Sequence, residues 1–176
     1  DQATIAAAQT KYQGKKAPLC AALQAKDEES AMALLDGGAD PNEVDGRGRN
    51  ALHTAAIEGC RPPLFQRVVA RIHDVNTVNN NRWTALMFAA VNNQLDVVIS
   101  LMNHPRIDLN VQNCDNWTAL HWAVLRNHPA IVSQLLSDDK IDASLKNNDN
   151  NTALKRAIDR GHAECVTILR QHGAPE

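Results

Sequence analysis

The side chains best able to do chemistry in this chain are seven histidines, four cysteines and a scatter of carboxylates. Catalysis or metal binding needs such groups to converge, and spacing is the first test of that. Cys20, Cys60, Cys114 and Cys165 lie 40, 54 and 51 residues apart, with no CxxC pair and no His–Cys cluster. Zinc sites draw their ligands from closely spaced pairs, so this pattern reads as free thiols in a reducing compartment. No HExxH, GxSxG, GxGxxG or P-loop occurs. Cys114 and His121, seven residues apart, are the nearest approach to a nucleophile–base pair. The carboxylates fall in separate loops and make no acid–base pair. Neither a catalytic residue nor a metal or cofactor site is assigned, and the chain reads as a non-enzyme.

What must position these residues is a repeat. Five segments line up: APLCAAL from Ala17, NALHTAA from Asn50, TALMFAA from Thr84, TALHWAV from Thr118 and TALKRAI from Thr152. Their starts are 33, 34, 34 and 34 residues apart. Thr84, Thr118 and Thr152 suit a helix N-cap, where a hydroxyl accepts an orphan backbone N–H. Leu and Ala then recur at helical spacing, and the small residue lets neighbouring helices approach closely. A second helix follows with paired apolar residues such as Val97-Val98 and Leu101-Met102, or Ile131-Val132 and Leu135-Leu136. The turn between the two helices holds Gly59 and Gly161, or Asn93 and Asn127, all tolerant of a left-handed backbone. After the second helix an extended stretch (Asp74-Val75-Asn76 is one) leads to a polar run such as Asn79-Asn80-Asn81-Arg82, read as a hairpin finger.

In this pattern the chain resembles the ankyrin-repeat family, whose T-P-L-H-x-A block recurs about every 33 residues. The match covers Ala17 to Ala174. It departs from the family block in several places. Proline survives only at Pro18, the motif histidine only at His53 and His121, and the fingertip glycine only at Gly48. Arg82 stands at one of those fingertip glycine positions, where a left-handed backbone is costly for such a residue. In the second repeat Pro62-Pro63 shifts the second helix, so that joint is expected to be the weakest. The resemblance implies an all-α solenoid of stacked helix-turn-helix units with short β-hairpin fingers. Residues 17–176 form the repeat domain, with repeats starting near 17, 50, 84, 118 and 152. Residues 1–16 form an N-terminal capping helix or the end of a preceding repeat. It also implies that His53 and His121 hydrogen-bond backbone between repeats.

In such arrays the fingers and the exposed side of the first helices line a concave face that holds partners. Carried over by register, the fingers supply Arg47, Arg49, Asn80, Asn81, Trp83, Cys114, Asp115, Trp117, Asn148, Asp149 and Asn151. The first helices supply Thr54, Glu58, Phe88, Asn92, Trp122, Arg126, Arg156 and Arg160. Tryptophan and arginine are the types most enriched at interface hot spots. The indoles at 83, 117 and 122 serve either as contacts or as packing along the finger bases. Arg126, Arg156 and Arg160 are expected to face the C-terminal end of the groove, which fits a partner with an acidic segment.

Composition bounds the rest. Hydrophobic residues make up 44% of the 176 and aromatics only 3%, so the core must be built from small aliphatic side chains. The formal net charge of −2 and the absence of a basic stripe argue against nucleic acid. No apolar run is long enough to cross a bilayer. The chain is therefore read as a monomeric protein-interaction module that needs no cofactor, in a cytoplasmic, reducing setting or delivered there as a secreted effector. It lacks an initiator Met and so is expected to be processed or part of something longer. The rival reading is a target-recruitment domain of a larger enzyme or effector.

Overall fold

A computed structural model describes all of residues 1–176. Eleven short helices follow one another: α1 (Gln2–Lys11), α2 (Pro18–Gln24), α3 (Glu28–Asp36), α4 (Ala51–Glu58), α5 (Pro62–Val69), α6 (Ala85–Val91), α7 (Leu95–Met102), α8 (Ala119–Leu125), α9 (Pro129–Leu136), α10 (Ala153–Arg160) and α11 (Ala163–Gln171). None reaches the roughly 12–15 residues at which an isolated helix becomes even marginal in water. Stacking must hold them. The even-numbered helices pack in order as one layer, the odd-numbered helices as a second, and each pair α2–α3 to α10–α11 joins the two. Ala55, Ala56, Ala89, Ala90 and Ala123 are fully buried in the first layer, where a methyl group allows close helix approach. Leu52, Leu86, Leu120 and Leu154 fill the space between the layers. Stability in such an array is a sum of nearest-neighbour contacts.

The caps follow the sequence. Thr84, Thr118 and Thr152 accept from the N–H groups of Met87, His121 and Lys155, and Asn50 accepts from His53. The turn residues Gly59, Asn93, Asn127 and Gly161 all have positive φ, joined in the first repeat by Lys26 at 54°. In the second repeat α5 begins eleven residues after α4, against ten for the other helix pairs, with Pro62 and Pro63 in its first turn. Proline is harmless there because that N–H has no helical partner. The helix is shifted and intact, and its interfaces with α3, α4 and α7 are the sparsest between neighbouring helices. α1 takes the outer-layer position beside α3, tied by the Tyr12 hydroxyl to Asp27 at 3.1 Å.

The fingers differ from expectation. No β-strand forms, and the stretches read as extended are turns. In each outer connection an aspartate oxygen captures the N–H two residues on: Asp40 from Asn42, Asp74 from Asn76, Asp108 from Asn110 and Asp142 from Ser144, each at 2.9 Å. In each finger one Asx oxygen accepts two N–H groups, as Asn79 Oδ1 does from Asn81 (3.0 Å) and Trp83 (2.9 Å). The same double acceptance recurs at Asp45, Asn113 and Asn147. Side-chain acceptors do the work of a ladder partner, so the backbone closes on itself without a strand. Neighbouring fingers are then tied at their tips. Asn80 N donates to Arg47 O (3.2 Å), Cys114 N to Asn81 O (3.3 Å) and Asn148 N to Asp115 O (3.0 Å).

Candidate protein-binding face

Two ladders of equivalent positions meet where the fingers join the first helices. Trp83 and Trp117 come from the finger bases, and Phe88, Trp122 and Arg156 from α6, α8 and α10. They interleave into one row. Ring centroids are 4.9 Å apart from Phe88 to Trp83, 4.5 Å from Trp83 to Trp122 and 4.6 Å from Trp122 to Trp117. The Arg156 guanidinium then lies 5.1 Å from the Trp117 ring and reaches Asp149 at 3.4 Å. Each aromatic pair contributes about 0.5–1.5 kcal/mol beyond its buried area, so the row stiffens three consecutive repeats.

Its ends are unlike. Phe88, Trp83 and Trp122 are half-buried and present edges to solvent. Trp117 is only 8% exposed, covered by Trp122 on one side and Arg156 on the other. A partner could touch Trp117 only after displacing Arg156. Arg156 itself is spent on Trp117 and Asp149, so it is not free beside Arg126 and Arg160. Those two remain exposed and unpaired on the last turns of α8 and α10.

The other expected contact residues separate as clearly. Arg47, Asn80, Asn81, Cys114, Asp115, Asn148 and Asp149 are exposed on the fingers, and Asn92 is exposed at the end of α6. Arg49 is held inside its own finger by Asp45, with N···O distances of 2.7 and 2.8 Å. Thr54, expected on the surface, is buried, and its hydroxyl donates to Asn50 O at 3.0 Å. Glu58 lies 4.0 Å from Lys26, and Asn151 is half-buried with its carbonyl turned to His121. At the Phe88 end of the row Arg47, Arg49, Asn79, Asn81, Trp83 and Phe88 enclose a recess of about 250 Å³. Asn79 was not anticipated there, although its register with Asp45 marked it as a finger residue. A larger recess, about 460 Å³, lies on the opposite side among α1, α3 and α5. Two of its carboxylates, Glu28 and Asp36, are already paired with Arg61 and Arg67.

The two motif histidines brace this face from beneath. His53 Nε2 meets Trp83 O at 3.0 Å and His121 Nε2 meets Asn151 O at 3.1 Å. A carbonyl can only accept, so Nε2 carries the proton. Nδ1 faces the backbone N–H of Asn50 or Thr118, each at 3.3 Å, and more closely the Asn50 side-chain amide at 2.7 Å or the Thr118 hydroxyl at 2.9 Å. Burial depresses the basicity of His53, to about 4, against the pull of the Trp83 and Thr77 carbonyls. Burial lowers that of His121 too. With both ring nitrogens of His121 engaged, it is not available as a base for Cys114. Burial also pushes the Cys20 thiol up to about 11 and the Cys60 thiol up to about 12, which leaves both unreactive.

Two matches to a family model described as ankyrin repeats (3 copies) cover residues 19–113 and 100–175. The chain belongs to the ankyrin-repeat family. Ankyrin repeats are generally protein–protein interaction modules and typically non-enzymatic. A search of curated proteins finds no significant match. No helix of this ankyrin array is long and apolar enough to cross a membrane.

Proposed function

We propose that this ankyrin array binds one partner protein through the face formed by its first helices and fingers. The row of stacked side chains from Phe88 to Arg156 carries that reading. A stiff row with half-exposed aromatic edges is pre-organised, so a partner gains contact area without paying to order it. The single copy needs no cofactor for this, and its free thiols suit a reducing compartment such as the cytoplasm. The test is affinity capture with the wild-type chain and a Trp83→Ala/Phe88→Ala variant, each checked by thermal melting. Loss of a specific partner by a variant that melts lower but is still folded at the assay temperature supports the assignment. Retention of every partner by the folded variant would move the binding face elsewhere.

A further inference from the structure

The recess at the Phe88 end points to the kind of segment that this face takes. At about 250 Å³ it falls below the roughly 300–1,000 Å³ of small-molecule and cofactor sites. It has room for one large side chain. Its floor is aromatic, Trp83 and Phe88 stacked at 4.9 Å. Its wall is polar and positive. Asp45, in the same finger as Arg47, is already committed to Arg49 and to the finger's own N–H groups. Arg47, on the wall, makes no ion pair and is exposed. The exposed side-chain amide of Asn81 offers a donor and an acceptor to a main chain in extended form.

Arg82 adds an independent observation. The fingertip position it occupies is filled by Gly48, Asn116 and Asn150 in the other fingers, and all four have positive φ. Glycine or asparagine adopts φ near 60° with little strain, whereas an ordinary side chain there costs on the order of 1 kcal/mol. Arg82, at φ 60°, holds that conformation with its side chain exposed and free of any ion pair, one residue from both Asn81 and Trp83. Arg47, without an ion pair, lines the aromatic recess, and Arg82, also without one, is the chain neighbour of two of its lining residues.

We infer that this recess receives a large apolar side chain of an extended, acidic protein segment, with carboxylates beside the anchor meeting Arg47 and Arg82. The inference rests on the binding face proposed above. It moves the acidic contact from the C-terminal arginines, which are unpaired too, to the other end of the row, where a hole adjoins the cations.

The experiment is a selection of random peptides on phage against the whole chain. It is followed by titration of one enriched synthetic peptide, and of a short single-stranded RNA, into the wild type and variants. Enriched sequences are expected to carry an aromatic or large aliphatic residue with Asp or Glu within two positions. Arg47→Glu should weaken the peptide by about tenfold or more, and Phe88→Ala by a similar factor. Arg82→Gly, which removes strain and leaves the finger intact, should weaken it by about threefold. Arg160→Glu should change it by less than about twofold. Enrichment of basic or uncharged sequences, no enrichment, or RNA binding tighter than the peptide would each overturn the inference. Peptides lost with Phe88→Ala but indifferent to Arg47→Glu would remove the acidic chemistry and leave the aromatic face as the binding site. Peptides indifferent to both would remove both readings.

Discussion

The two ends of the aromatic row use the same residue types and reach opposite states. At one end Arg156 lies over Trp117 and is held there by Asp149, so ring and cation satisfy each other. At the other, Arg49 is fixed by Asp45 inside its finger, Phe88 and Trp83 keep open edges, and Arg47 and Arg82 have no carboxylate. Repetition fixes where side chains stand, whereas one carboxylate decides whether they are spent on the fold or left for a partner. Asp149 on its fingertip closes an end, and Asp45, two residues before Arg47, leaves one open.

That contrast can be broken most forcefully at the indoles. Trp117→Ala should cost about 3 kcal/mol of stability, because a buried ring leaves a cavity, whereas Trp83→Ala should cost about 1 kcal/mol. Urea denaturation of both variants reads the difference, and equal losses would erase the distinction between the ends. Acid comes next. An unfolded histidine titrates near 6.5 and folded His53 near 4. Between these values the unfolded chain binds a proton that the folded chain refuses. Stability is therefore complete above pH 6.5 and falls as pH drops toward 4. By pH 5 His53 alone should have removed about 2 kcal/mol, with His121 acting in the same direction. Since His53 props the carbonyl of Trp83, hydrogen exchange at pH 5 should rise around that finger, and a flat stability profile between pH 7 and 5 would contradict the burial argument.

Smaller effects sharpen the picture. Arg82→Gly should raise stability by about 0.5–1 kcal/mol by relieving a left-handed arginine, and a lower melting temperature would mean that its side chain makes an unseen fold contact. Asp149→Ala should cost no more than about 0.5 kcal/mol, as expected of an exposed ion pair. It should also free Arg156 and expose Trp117 to collisional quenching of fluorescence. Unchanged quenching would show that Arg156 stays on the ring without its carboxylate.

Much of this was legible in the sequence. Helix starts at Thr84, Thr118 and Thr152, left-handed turns at Gly59, Asn93, Asn127 and Gly161, and the one-residue shift at Pro62-Pro63 are local consequences of residue type, and local rules found them. The inter-repeat bonds of His53 and His121 followed from the resemblance to the ankyrin block. Strand-like fingers did not appear, because Asn79 and its equivalents each satisfy two N–H groups and leave no ladder to form. The row itself was hidden for another reason. Its members belong to two different ladders, 83 and 117 in one and 88, 122 and 156 in the other. Their interleaving exists only once finger and helix are folded side by side. Arg156 looked like a free cation because the carboxylate that claims it lies across a turn, seven residues earlier.

The tip-to-tip hydrogen bonds from Asn80 to Arg47, Cys114 to Asn81 and Asn148 to Asp115 have a mechanical consequence. They sit at the rim farthest from the outer helices, where a bending array has its longest lever arm, and they are directional. The outer connections are clamped as well, because Asn76 Oδ1 accepts from Asp108 N and Asn110 Oδ1 from Asp142 N, each at 2.8 Å. The array should therefore flex like a leaf spring clamped along both edges, with its curvature set by the two rims. On the binding face proposed above, a partner that needs a flatter surface would have to break tip bonds to obtain it, so curvature would add to chemistry in what that face selects.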